Sequence, residues 1–132
     1  MQLRSSLAIG LSFLVGIVTV LLTLTPISAP SLGPFAHSDK FYHALAFAGL
    51  ALPMVLFRSD WLIVTVPLYA TFGALIELIQ PFVGRERSVA DWNADLLGIG
   101  IGIIVGLALR AVMRIVGRFR LQTTRARIKF NP

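Results

Sequence analysis

The sequence predicts an all-α integral membrane protein, a bundle of four transmembrane helices with both chain ends in the cytoplasm. Three observations predict it: an apolar composition, long stretches without charge, and an uneven distribution of basic residues between the two sides those stretches define. Of 132 residues, 56% are hydrophobic and 14% charged, with a mean hydropathy of +0.81. Soluble domains carry about 45–50% apolar and about 25% charged residues. There is no cysteine, which excludes a disulfide framework, a Cys-ligated metal and a cysteine nucleophile. The net charge of +6 reads as membrane orientation, not as nucleic-acid binding.

Residues 5–38 contain no Asp, Glu, Lys or Arg. A helix crossing the hydrocarbon core needs about 17–25 residues, so a first span is expected over 7–24. The run exceeds the roughly 7–15-residue apolar core of a signal peptide. A cut after Ile27-Ser28-Ala29 would also be followed by Pro30, so a retained helix is expected. Pro26, Pro30 and Gly33-Pro34 end it and open a loop. The uncharged run 41–57 predicts a second span over 40–57, closed by the polar connection Arg58-Ser59-Asp60. The run 61–76 predicts a third over 61–80, and a short loop follows from Pro81 to Arg87. The run 96–109 lies in a fourth span over 89–113. Pro53 and Pro67 fall inside spans two and three, which a membrane helix tolerates. Lipid offers the backbone no hydrogen-bond partner, so each span must be helical, and the alternation of a barrel strand is absent.

Residues 1–114 thus form the membrane domain and residues 115–132 a basic cytoplasmic tail. Arg110, Arg114 and Arg118 continue one helical face past the membrane. Near an anionic leaflet each basic residue contributes roughly 1 kcal/mol, so the tail is expected to anchor the chain. Residues 121–132 are expected to lack fixed structure. With four spans, Arg4, Arg58, Arg110, Arg114, Arg118, Arg120, Arg125, Arg127 and Lys129 share one side, against Lys40, Arg85 and Arg87 on the other. The positive-inside rule places the larger set in the cytoplasm.

The acids then gather outside. Asp39, Glu77, Glu86, Asp91 and Asp95 fall on the outer half, and only Asp60 is cytoplasmic. Asp39 and His43 share a face at the start of span two, as do Asp91 and Asp95 at the start of span four. Glu77 and Gln80 end span three, and Arg85, Arg87 and Ser88 lie in the loop that follows. A carboxylate facing lipid is costly, so Glu77 and Asp95 are expected to face the bundle interior or water. The loop is short enough for Arg85 to fold back onto Glu77 or Asp91, with His43 within reach of the same network.

Structural roles compete with functional ones. Asp39 and Asp91 suit helix N-caps, His43 suits a hydrogen bond to Asp39 or Glu77, and Glu77 suits a pair with Arg85 or Arg87. No metal or other cofactor is expected: no HExxH or comparable spacing is present, and two arginines would compete for the carboxylates. A Ser88–His43–Asp91 triad lacks the nucleophile-elbow context. Gly98, Gly102 and Gly106 are spaced by four and form a small-residue packing face, for a helix of the bundle or for a second protein. Gly98-x-Gly100-x-Gly102 lies inside an apolar span, without the strand that a nucleotide loop needs.

In order and spacing, Asp39-Lys40-x-x-His43, Glu77-x-x-Gln80 and Gly84-Arg85-x-x-Ser88-x-x-Asp91, followed by Gly98, resemble the VanZ-like family over roughly residues 36–107. That family is named for the teicoplanin-resistance protein. One position departs: the family has Asn four residues after its Asp, whereas here Asp95 follows Asp91 and Asn93 comes two positions earlier. The resemblance implies a small protein of the bacterial cytoplasmic membrane, with glycopeptide resistance as the family's best-known association. The expected function is a non-enzymatic envelope protein with an outward-facing polar pocket for a lipid headgroup, cell-wall precursor or related ligand. Asp39, His43, Glu77, Gln80, Arg85, Arg87, Ser88, Asp91 and Asp95 would line it, the two arginines meeting phosphate or carboxylate. One alternative is a membrane enzyme acting on a lipid-linked substrate, with Glu77 or His43 as general base. Another is an accessory subunit packing through the glycine face. Membrane lipids are expected partners and nucleic acid is not.

Overall fold

The computed structural model describes residues 2–25 and 38–130, with side chains at 2–25 and 39–119. The expected loop through Pro26, Pro30 and Pro34, and the Ile27-Ser28-Ala29 site, lie outside the described residues. All described elements are helical: α1 (Gln2–Leu24), α2 (Ser38–Arg58), α3 (Leu62–Ile79) and α4 (Val89–Phe130), with 3₁₀ turns at Ser59–Trp61 and Gln80–Val83. Three continuous helical stretches are long and apolar enough to cross a membrane: Gln2–Leu24, Asp39–Val83 and Val89–Phe119.

The middle stretch folds back on itself. Arg58, with φ −142° and ψ 53°, leaves the helical region and breaks it between α2 and α3. The rings of Phe47 and Phe72 consequently meet at 5.9 Å, where a straight helix would hold them roughly 37 Å apart. α1 also runs against α2. The Ser5 hydroxyl accepts from Arg58 near one end, the Ser12 hydroxyl donates to the Leu50 carbonyl, and Thr23 lies at the other end. α2 and α4 are parallel, since Gly98, Gly102 and Gly106 meet Ala44, Ala48 and Val55 in that order. The helices therefore alternate in direction along the chain.

Without a hydrophobic force between helices in lipid, close packing holds them together. α2 and α4 make the most extensive contact. There the glycine face lies so close that a Cβ at Gly98 would collide with the Ala44 carbonyl oxygen, and one at Gly102 would come within 2.5 Å of that of Ala48. Within the chain this face is thus covered by α2. α1 offers Ala8, Ser12, Thr19 and Thr23 as its buried stripe. Thr19 and Thr23 donate to the carbonyls of Val15 and Thr19, four residues back, so their hydroxyls need no water. Phe47, Leu50, Ala51, Met54, Tyr69, Ile76 and Ile99 fill the core between α2, α3 and α4. The exterior is apolar, with Phe13, Ile63, Val64, Leu97 and Ile104 all exposed, as suits a surface facing lipid.

α4 is longer than expected. It continues as one helix through Phe130, so residues 121–130 are helical where an unstructured segment was expected, and the last two residues of that segment lie outside the described residues. Between Gly117 and Pro132 there is neither glycine nor proline, so nothing in that stretch interrupts helical hydrogen bonding. At the end opposite Thr23, Arg110 donates to the Val55 carbonyl in the last turn of α2. Arg58 grips Asp60 through two nitrogens and lies over the Trp61 ring.

Candidate functional site

The start of α2, the end of α3 and the start of α4 converge at one end of the bundle. Because α2 and α4 are parallel, Lys40 and His43 of α2 face Asp91 and Asp95 of α4. Lys40 Nζ lies 3.6 Å from Asp91 Oδ1, and one turn deeper His43 Nδ1 lies 2.9 Å from Asp95 Oδ1.

The outermost layer is a clamp. Arg85 Nη2 donates to both carboxylate oxygens of Asp39 at 2.9 and 3.0 Å, while Nη1 donates to the Thr23 carbonyl at 2.9 Å. Gln80 Nε2 donates to the same carbonyl at 3.3 Å. Thr23 belongs to the last turn of α1, whose carbonyls have no intrahelical partner. A cation is favoured there, and an anion such as Asp39 is favoured in the first turn of α2. One guanidinium serves both helix ends. This differs from the expected link of Arg85 to Glu77 or Asp91, because helix-end electrostatics draws it to Asp39 and Thr23.

Glu77 is claimed elsewhere. Its Oε2 accepts the Ser88 N–H at 2.8 Å, while Ser88 Oγ accepts the Asp91 N–H at 3.2 Å. Ser88 is therefore the N-cap of α4. The expected cap role of Asp91 does not hold, since the helix begins at Val89 and Asp91 is its third residue. Asp39 likewise sits inside the first turn of α2, with its carboxylate on Arg85. The Ser88–His43–Asp91 triad does not form: the Ser88 hydroxyl faces the Asp91 backbone, and His43 pairs with Asp95.

The innermost layer joins His43, Glu77 and Asp95, which are 1%, 4% and 0% exposed. Gly73 of α3 makes room for it, since a Cβ there would come within 2.6 Å of Asp95 Oδ2. Trp92 Nε1 donates to the Ala70 carbonyl at 2.9 Å and ties α4 to α3 one turn before Gly73. Thr23 and Gly73 carried no sequence signal, because one acts through its backbone carbonyl and the other through a missing side chain, and Trp92 was missed because its indole N–H meets a backbone carbonyl. The structure brings Asp39, His43, Glu77, Gln80, Arg85, Ser88, Asp91 and Asp95 together. Arg87 and Glu86 are exposed and lie apart from these pairs.

Five buried side-chain atoms of this cluster have no hydrogen-bond partner among the described residues: His43 Nε2, Glu77 Oε1, Gln80 Oε1, Asp91 Oδ1 and Asp95 Oδ2. Buried polar atoms are ordinarily satisfied, and each exception calls for a cause. Four carboxylates here face only two cations, Arg85 and Lys40. The arrangement therefore suits a ligand that donates hydrogen bonds or carries positive charge. Beside the cluster, Lys40 stands at the polar end of a groove of about 570 Å³ between α2 and α4, lined by Phe41, Ala44, Leu45, Leu97 and Ile101. Comparison of the chain with protein-family models, curated proteins and solved structures finds no match.

Proposed function

We propose that the chain is a four-crossing protein of the bacterial cytoplasmic membrane, VanZ-like in kind, that binds a membrane-anchored envelope ligand at its outer rim. The crossing count is supported by the break at Arg58 and the alternating helix directions. The orientation is supported by the excess of basic residues at the end that holds Arg58 and Arg110. A reporter active only outside the cytoplasm should be silent when fused after Pro132 and active when inserted at Gly84. The reverse pattern would turn the cluster to the cytoplasm and remove the envelope reading.

The observation that carries the binding function is the set of five polar atoms without a hydrogen bond in one buried cluster, of which only Asp91 Oδ1 has an ion-pair partner, Lys40. Next to them, the α2–α4 groove suits an acyl or prenyl chain, with Lys40 placed for a phosphate. The ligand class is a lipid with a phosphate and a hydroxyl- or amine-bearing head, such as a lipid-linked cell-wall precursor. Native mass spectrometry of the detergent-purified protein tests this with phosphatidylethanolamine, phosphatidylglycerol and a polyprenyl-linked cell-wall precursor as probes. The wild type should hold one of these one-to-one, and Lys40→Ala and Asp91→Asn should lose it about tenfold, the loss of one charged contact. Glu86→Ala should retain it. Equal retention by the wild type, Lys40→Ala and Asp91→Asn would sink the reading.

An enzymatic reading draws on the His43–Asp95 pair, which leaves Nε2 as a candidate base. The side-chain nucleophile that the sequence offered, the Ser88 hydroxyl, is instead engaged in capping α4. The accessory-subunit reading loses its proposed surface, because the glycine face is filled by α2.

A further inference from the structure

We propose that His43, Glu77 and Asp95 hold a divalent metal cation, of the manganese-to-zinc class, inside the bundle. This metal site rests on the reading of the cluster as a ligand site and names the occupant of its innermost layer. The three residues come from α2, α3 and α4, and each offers one ligand atom within 4.8 Å of the other two. All three are nine-tenths or more buried.

Each of the three also keeps one side-chain atom without a hydrogen-bond partner among the described residues. Glu77 uses Oε2 to accept the Ser88 N–H and leaves Oε1 without a partner. Asp95 uses Oδ1 toward His43 and leaves Oδ2 free. With Asp95 ionised and the imidazole neutral, His43 Nδ1 donates its hydrogen to Asp95 and Nε2 presents a lone pair. That is how a ligating histidine is held, one nitrogen fixed by a carboxylate and the other free for the metal. Each side chain is thus oriented by one atom and open at another.

Charge points the same way. Two carboxylates buried beside one imidazole must either take up protons or be neutralised by a cation, because a low-dielectric interior does not tolerate uncompensated charge. One divalent cation neutralises both. The competition expected from Arg85 and Arg87 does not arise: Arg85 is held by Asp39 and the Thr23 carbonyl, and Arg87 is exposed. Asp39, His43 and Asp91 form a second group of the same span. There Asp39 is bound to Arg85 and Asp91 lies beside Lys40, so the inner group is the better host. Imidazole favours zinc and its neighbours whereas carboxylates suit manganese, which sets the metal class. Three protein ligands of this kind leave a coordination position open.

The test uses the full chain, purified in detergent, stripped with a chelator and titrated with Mn²⁺ and with Zn²⁺. Uptake is read by the loss of the free Mn²⁺ resonance and by calorimetry. One equivalent per chain is expected, with a rise in the melting midpoint as metal is added. Glu77→Gln and Asp95→Asn should weaken binding by at least about 100-fold, since loss of an outer-shell partner alone costs about 10–100-fold. Glu86→Gln should bind as the wild type does. If either near-isosteric variant fails to fold, the wild-type titration and its melting shift decide. A folded wild type that takes up neither metal and shows no shift overturns the site, as does undiminished binding in folded Glu77→Gln and Asp95→Asn. Lipid retention without metal uptake would overturn the metal site and leave the proposed function standing. Metal uptake without lipid retention would do the opposite.

Discussion

Gly98→Ala should destabilise the protein by about 3 kcal/mol, the upper end of the usual overpacking range, while Gly100→Ala should be nearly neutral. Both add one methyl group to the same helix. At Gly98 that methyl would fall on the carbonyl oxygen, carbonyl carbon and Cα of Ala44, and a helix backbone cannot swing aside as the tip of a side chain can. At Gly100 nothing lies within 4 Å. α2 and α4 would have to separate, weakening the largest contact in the bundle and the His43–Asp95 pairing one turn before it. Gly102→Ala should resemble Gly98→Ala, because it meets the Ala48 carbonyl oxygen. Thermal melting in detergent measures all three. Equal midpoints for Gly98→Ala and Gly100→Ala would mean that α2 and α4 do not pack through this face.

The second large effect is expected at Arg85. Arg85→Ala removes the donor to Asp39 and to the Thr23 carbonyl together, leaving a helix-end carbonyl and a carboxylate without a cation. Breaking a fully buried pair costs roughly 3–5 kcal/mol. Asp39 is 40% exposed, and solvent screens part of that loss, so roughly 2–3 kcal/mol is expected. Arg87→Ala removes an equal charge two residues away, from an exposed side chain with no ion pair among the described residues, and should be nearly silent. Comparable melting midpoints for the two variants would show that the clamp does not hold the helix ends.

Much of the fold was legible because lipid makes one signal dominant. The uncharged runs locate α1, α2 and α3 to within a few residues, apart from the first turn of α1, which extends before residue 7. The expected fourth span also had the start of α4 at Val89, but not its end. In lipid the signal is apolarity, and beyond Met113 only the absence of proline marks the continuing helix. At the site, spacing placed Asp39 with His43 and Asp91 with Asp95 on shared faces, and it placed Glu77 inward. It did not reveal partners. Pairing depends on α2 and α4 being parallel, and on which backbone groups lie free at the helix ends. Thr23 supplies a carbonyl and Ser88 an N–H, and neither shows in the residue type. The objection to a metal likewise counted arginines along the chain, whereas the clamp removes Arg85 from the inner carboxylates.

The clamp also imposes a timetable on synthesis. The Thr23 carbonyl ends α1, but its donors are encoded 57 and 62 residues later, at Gln80 and Arg85. At about 5–20 residues per second, a ribosome needs roughly 3–12 s to deliver Arg85 after Thr23. During that interval α1 is in place with its last turn uncapped, and the first turn of α2 has no guanidinium for Asp39. The first two helices are therefore joined at this end only after the third has been made. A ribosome stalled before residue 85 would hold a nascent chain whose α1 and α2 can be pulled apart or cleaved between far more readily than in the finished protein.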